Sequence, residues 1–173
     1  MRKLSNEELH RLSASEFKDS DKLPLIVVLD NVRSLYNVGS VFRTADAFLC
    51  EAIYLCGITA CPPNKEIHKT ALGAEDTVSW QYFDDTAAAI QRLKSGGWQI
   101  IAVEQAENSI SLQEFKPDPL AKYAIVFGHE VKGVSQEVMD NCHACIEIPQ
   151  FGTKHSLNIS VSVGIVLWEW CRP

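Results

Sequence analysis

Three short stretches hold side chains whose types and spacing could do chemistry. The first has Asn37, Gly39 and Arg43. The second has Phe127, Gly128, Glu130 and Gly133. The third runs from Ile148 and Pro149 through Gly152 to Ser156, Leu157, Asn158 and Ser160. Each contains a glycine and follows an apolar, strand-like run. In a parallel sheet the loops after the strands lie at one edge, where free backbone N–H and C=O groups can hold a nucleotide-like ligand. Arg43 lies one helical turn from Gly39 and shares its face. Asn158 and Ser160 suit the start of a helix. Neither the G-x-G-x-x-G fingerprint nor the P-loop pattern is present, which disfavours an ordinary dinucleotide or P-loop enzyme. Cys142 and Cys145 form a lone C-x-x-C with no second pair at zinc-ribbon spacing, so the pair reads as structural and no metal site is expected.

The elements that must position these residues follow a β-α rhythm. Residues 25–29 (LIVVL) form a β-branched run without alternation, as in a strand buried on both faces. Similar strands are expected at 52–56, 77–83, 98–103, 123–127 and 144–148. Ser5 and Glu8 match a capping box that starts a short helix through about residue 17. Asn37 is a good N-cap for a helix over 38–49, with Val41, Phe42, Ala45, Phe48 and Leu49 on one face. Gly39 in its first turn suggests close approach by something, and Arg43 could simply pair with Asp46 one turn on. Residues 65–75 read as a loop, solvated or contacting substrate. A helix over 85–94 ends at Gly96-Gly97, and Ser135 caps another through about residue 141. Residues 157–164 alternate like a strand, whereas the length of the segment and a cap at Ser156 favour a buried helix, so the pattern alone leaves both open. The order argues for an α/β sandwich around a largely parallel sheet.

Composition narrows the class. The 173 residues, 46% of them hydrophobic and 22% charged, are enough for one domain with a real core. A net charge of −6 gives no global basic field, so any nucleic-acid contact must use a local patch. The scattered cysteines, the polar first 20 residues without an apolar signal core and the lack of a spanning run point to a cytoplasmic protein with no membrane partner.

Taken together, N-x-G-x-x-x-R (Asn37, Gly39, Arg43), F-G-x-E-x-x-G (Phe127 to Gly133) and I-P…G…S-L-N-x-S (Ile148 to Ser160) resemble the SpoU/TrmH-type RNA ribose 2'-O-methyltransferases of the SPOUT superfamily. The resemblance covers about residues 23–170. It implies a SPOUT α/β knot: a mostly parallel sheet sandwiched by helices, with a deep C-terminal trefoil knot. It implies one methyltransferase domain over 1–173, with 1–22 as a short N-terminal helical extension, and a helix rather than a strand after Ser156. It further implies S-adenosyl-L-methionine as methyl donor, a homodimer through the C-terminal knot region, and tRNA or rRNA as substrate. Backbone groups of Gly128, Ile148 and Leu157, with Gly133 and Val103, would form the cofactor site. Asn37, Arg43, Glu130, Ser156 and Asn158 match the family's catalytic or RNA-facing positions, whereas His129 stands at a variable position and inherits no role. The family's matching arginine is proposed as the base. A guanidinium stays protonated, so here Arg43 is expected to bind phosphate and oxyanion.

Arg33, Lys65, Lys69, Lys132 and Lys154 lie in or beside these loops and supply the expected RNA-binding patch. Asp84, Asp85, Glu104, Glu107, Glu114 and Asp118 are placed mostly elsewhere. The lack of room for a separate N-terminal RNA-binding domain leans toward tRNA. The other readings are a non-catalytic RNA-binding or assembly factor on the same fold, a base-directed RNA methyltransferase, and a nucleotide-binding oxidoreductase, which lacks its fingerprint here.

Overall fold

The apolar run at Leu25 becomes β1 (Leu23–Asp30), and residues 25–30 are buried without a break. The computed structural model describes residues 1–172. Six further strands join β1: β2 (Cys50–Cys56), β3 (Trp80–Phe83), β4 (Trp98–Val103), β5 (Ile110–Ser111), β6 (Lys122–Phe127) and β7 (Ala144–Glu147). They form one sheet in the order β3-β2-β1-β6-β4-β7-β5, and every pairing is parallel. The two-residue β5 at the sheet's edge has no counterpart among the expected strands.

The pleat of β1 divides the core. Leu25, Val27 and Leu29 join one apolar cluster, and Ile26 and Val28 join another. The first cluster takes in α2 (Leu35–Ala47) through Val41 and Phe42, and α7 (Ile159–Trp170) through Val163 and Leu167. The second takes in α5 (Thr86–Ser95) through Ile90 and Leu93, and α6 (Gln136–Met139) through Val138. Helices on both faces are what an all-parallel sheet requires, because each crossover must return over one face or the other.

The chain leaves β4, passes β7 to reach β5, and comes back to β6, which lies on the other side of β4. Strand β7 therefore sits inside this excursion. After β7 the chain turns back across the sheet edge, and α7 packs against α2. Phe115 of the excursion and Tyr123 of β6 close around Trp170 of α7, with ring centroids 5.4 and 5.0 Å from the Trp170 ring. The knot that the resemblance implies would thread the C-terminal segment here, against the general rule that chains do not thread loops.

Several local expectations are corrected. The capping bonds between Ser5 and Glu8 form, but Glu7–Leu9 is only a 3-10 turn, and His10 ends it in the left-handed region (φ 46°). A second capping box at Ser13 and Glu16 then starts α1 (Ala14–Asp19), whose Phe17 is buried. Residues 65–75 are not a loop: Asn64 caps α3 (Lys65–Ala71), and α4 (Ala74–Thr77) follows. The strand expected from residue 77 is thereby shortened to β3. Helix α2 begins at Leu35 with Ser34 as N-cap, so Asn37 lies in the first turn and its side chain is free for other bonds. Helix α7 is capped by Asn158, not Ser156.

The neighbour that Gly39 admits is α3. A Cβ at Gly39 would lie 2.2 Å from both the Ile67 carbonyl oxygen and Thr70 Oγ1. Gly39→Ala must push α2 and α3 apart, and we expect it to cost about 1–3 kcal/mol of stability in chemical denaturation. An unchanged denaturation midpoint would remove the close helix approach as the reason for the glycine.

A candidate cofactor cleft at the carboxyl edge of the sheet

Because all strands run the same way, the chain ends of β1, β4, β6 and β7 meet at one edge. A cavity of about 650 Å³ opens there between the loop after β6 and the loop after β7. Its walls include Val103, Gly128, Gly133, Ile148 and Leu157, the residues expected to hold a cofactor, together with Glu130, Lys132, Ser156 and Asn158. The volume falls within the range of small-molecule sites, and the walls mix apolar side chains with free backbone polar groups. A nucleoside-sized group with a polar end suits such walls.

The loop after β6 is a closed hairpin-like turn. His129 and Gly133 exchange backbone hydrogen bonds at 3.1 and 2.8 Å. A Cβ at Gly128 would lie 2.2 Å from Gly133 C and Val134 N, so only glycine lets the two limbs approach this closely. His129 Nδ1 accepts from the Val131 and Lys132 N–H groups at 3.0 and 3.3 Å. His129 thus shapes the turn. Two further residues were not singled out for the site from sequence. Glu104, expected mostly away from it, directly follows β4 and accepts from the Val134 N–H at 3.0 Å. Gln105 follows, and both line the cavity. Their position at the carboxyl end of a central strand was the available signal.

One polar line ties the three motifs together. The Glu130 carboxylate accepts from the backbone N–H groups of Arg33 (3.1 Å) and Ser34 (2.9 Å) and from Asn37 Nδ2 (3.2 Å). Asn37 Oδ1 accepts from Asn158 Nδ2 at 3.2 Å. Asn158 Oδ1 accepts from the Ser160 N–H at 2.9 Å and the Ser160 hydroxyl at 2.6 Å. Burial alone would push the Glu130 carboxyl up, but the Arg33 and Ser34 N–H groups and the Asn37 amide outweigh it and hold the group below the usual carboxylate range.

The remaining expected site residues are less engaged. Arg43 is exposed on α2, is not part of the cavity wall, and has no ion pair among the described residues. The alternative pairing with Asp46 does not form, because Asp46 accepts from Thr77 Oγ1 at 2.7 Å. Ser156 and Lys154 are exposed on the loop before α7, and Lys132 is exposed at the cavity rim. Arg33 and Lys65 are exposed, whereas Lys69 is paired with Glu66 at 2.7 Å. Cys142 and Cys145 are free thiols, and burial pushes Cys142 up to about 12.

A carboxyl held low contributes stability that is present above its ordinary pKa and is lost as pH falls through its folded value. Glu130→Gln replaces an acceptor by an amide whose NH2 must face an N–H donor. We expect a loss of about 1 kcal/mol at neutral pH that shrinks in acid, read from denaturant melts at several pH values. An equal deficit at every pH would refute the charged-acceptor role.

The profile of the family described as "SpoU rRNA Methylase family" matches residues 24–168. The 23S rRNA (guanosine-2'-O-)-methyltransferase RlmB of Neisseria meningitidis is 33% identical over 149 residues, a stretch covering 86% of this chain and 58% of RlmB. The chain therefore spans little more than half the length of that relative. The AdoMet-bound rRNA methyltransferase of Sinorhizobium meliloti superposes with a TM-score of 0.80 at 28% identity, covering 88% of this chain and 58% of that one. The A. aeolicus TrmH/SpoU tRNA modifying enzyme gives 0.77 at 29% identity, covering 88% and 76%. With the all-parallel sheet and the three joined motifs, this match over most of its length makes the chain a member of the SpoU methylase family.

Proposed function

We propose that this chain is an S-adenosyl-L-methionine-dependent RNA methyltransferase acting on a ribose 2'-hydroxyl of tRNA or rRNA. The observation that carries the reading is the hydrogen-bonded line Glu130–Asn37–Asn158 beside the cavity, which joins one residue from each motif. The names of the relatives, with ribose methylation in one and bound AdoMet in another, support it. In this reading residues 1–173 act as one methyltransferase domain, with 1–22 as its N-terminal extension. It works in the cytoplasm; among the described residues no helix is long and apolar enough to cross a membrane.

When bound, S-adenosylmethionine supplies an electrophilic methyl group on a sulfonium. Backbone groups of Gly128, Gly133, Ile148 and Leu157, with Val103, would hold its adenosyl part. Glu130 stays ionised and orients the Asn37 amide, which orients Asn158. Arg43 would grip the phosphate next to the target ribose and the oxygen that becomes negative as the hydroxyl gives its proton, through that phosphate, to solvent. Ser156 stands at the mouth of the same cleft. Holding the ribose hydroxyl fixed in the cleft would supply much of the rate.

Two surfaces complete the proposal. Arg33, Lys65, Lys69, Lys132 and Lys154 contact the RNA backbone, against the acidic total of the chain. Val161, Ile165 and Trp168 form an exposed apolar stripe on α7, 48%, 37% and 65% accessible, that docks on a second copy to give a homodimer.

Arg43→Ala should lower methyl transfer to bulk RNA at least about a hundredfold while leaving cofactor affinity within about twofold, because Arg43 has no partner among the described residues. Full turnover in that variant would take Arg43 out of the mechanism. RNA affinity should fall steeply from low to high salt. A salt-independent affinity would contradict the basic patch.

A further inference from the structure

Beyond β4 the chain places two adjacent side chains on opposite walls of the cleft. Glu104 Oε2 accepts from the Val134 N–H at 3.0 Å, and its Oε1 from the Gln105 N–H at 2.9 Å. The same carboxylate fills the space beside Gly133, whose backbone has φ +68° and where a Cβ would lie 2.1 Å from Oε2. Glu104 thus holds the loop after β6. Gln105 is exposed and its Nε2 donates to the His155 carbonyl at 2.6 Å, so it holds the loop after β7. The Glu130–Asn37–Asn158 line braces the same two loops on the α2 side.

We infer that Glu104 and Gln105 are a positioning pair: a second brace, on the β4 side, that sets the spacing of the two cofactor-binding loops. This rests on the proposed cofactor cleft. Neither residue is assigned to the reacting atoms. Their effect is on how well the walls are pre-formed before the cofactor enters, so losing the brace raises the cost of ordering them on binding.

The test uses the full chain with Gln105→Ala, Gln105→Arg and Glu104→Ala, and S-adenosylmethionine as the probe in calorimetry. Gln105→Ala should weaken cofactor affinity about five- to tenfold, the effect of one hydrogen bond, with turnover at saturating cofactor within about twofold. Gln105→Arg can still donate to the His155 carbonyl and should restore affinity. Amide hydrogen exchange should quicken in residues 150–157 for Gln105→Ala and in 128–134 for Glu104→Ala, each variant loosening its own wall. Wild-type affinity and exchange in Gln105→Ala would overturn the inference, as would a loss that Gln105→Arg fails to rescue. A wild-type chain that binds no S-adenosylmethionine would instead overturn the methyltransferase reading, while exchange would still test the brace on its own.

Discussion

The site depends on one buried-edge constraint: the carboxylate of Glu130 must find donors, and it finds them on a helix start almost a hundred residues earlier. Arg33 N–H, Ser34 N–H and the Asn37 amide converge on it. Bonds to an ionised acceptor are among the stronger ones available to a protein, and removing one partner strands the other. The loop after β6 therefore cannot drift from the start of α2. Asn37 extends the same constraint to Asn158, which also caps α7. Three loops without repetitive structure of their own are fixed by a line of amides and a carboxylate.

That line only works because backbones approach more closely than side chains normally permit. Gly128 lets the two limbs of its turn touch, which aims Glu130 toward α2. Gly39 lets α3 press against α2, and Thr70 Oγ1 then reaches the Tyr36 carbonyl at 3.0 Å in the first turn of the helix. Gly39 and Gly128 are thus packing devices first, whereas Gly152 of the third motif has open space beside it. What they leave open, a cavity rimmed by free backbone groups, is a consequence of the packing they allow.

Much of this was legible in the residues. β1 and β4 follow from apolar runs, and the end of α5 from a Gly-Gly stop. The five expected cofactor residues of the cavity wall followed from the family resemblance, not from periodicity. What failed to be legible was choice among equivalent local signals. Ser34 and Asn37 can both cap a helix, and only the pull of Glu130 on Asn37 and of the Asn37 N–H on Ser34 Oγ decides for Ser34. Ser156 and Asn158 pose the same ambiguity at α7, resolved because Asn158 Oδ1 reaches the Ser160 N–H. Residues 65–75 looked like a loop because they are polar and short. Their helical state is fixed by Asn64 and by packing on α2, which no local pattern encodes. Glu104 looked like one more surface acid because its partner, Val134 N–H, is thirty residues away.

The remaining capacity of each group separates orientation from contact. Asn158 Oδ1 already accepts two bonds, and Asn158 Nδ2 gives one N–H to Asn37. Asn37 spends one N–H on Glu130 and one lone pair on Asn158. By the donor inventory of an amide, Asn37 keeps one donor and one acceptor, and Asn158 keeps one donor. These are enough to touch a substrate once without breaking the line that holds them. Arg43 is the opposite case: its guanidinium is exposed and has no ion-pair partner among the described residues, so its donors stay available. A group that holds the site together is poorly placed to let go during a reaction, and a group with nothing internal to hold can bind an anion at little structural cost. The proposed division of labour between the amide line and Arg43 rests on that difference in satisfied valence.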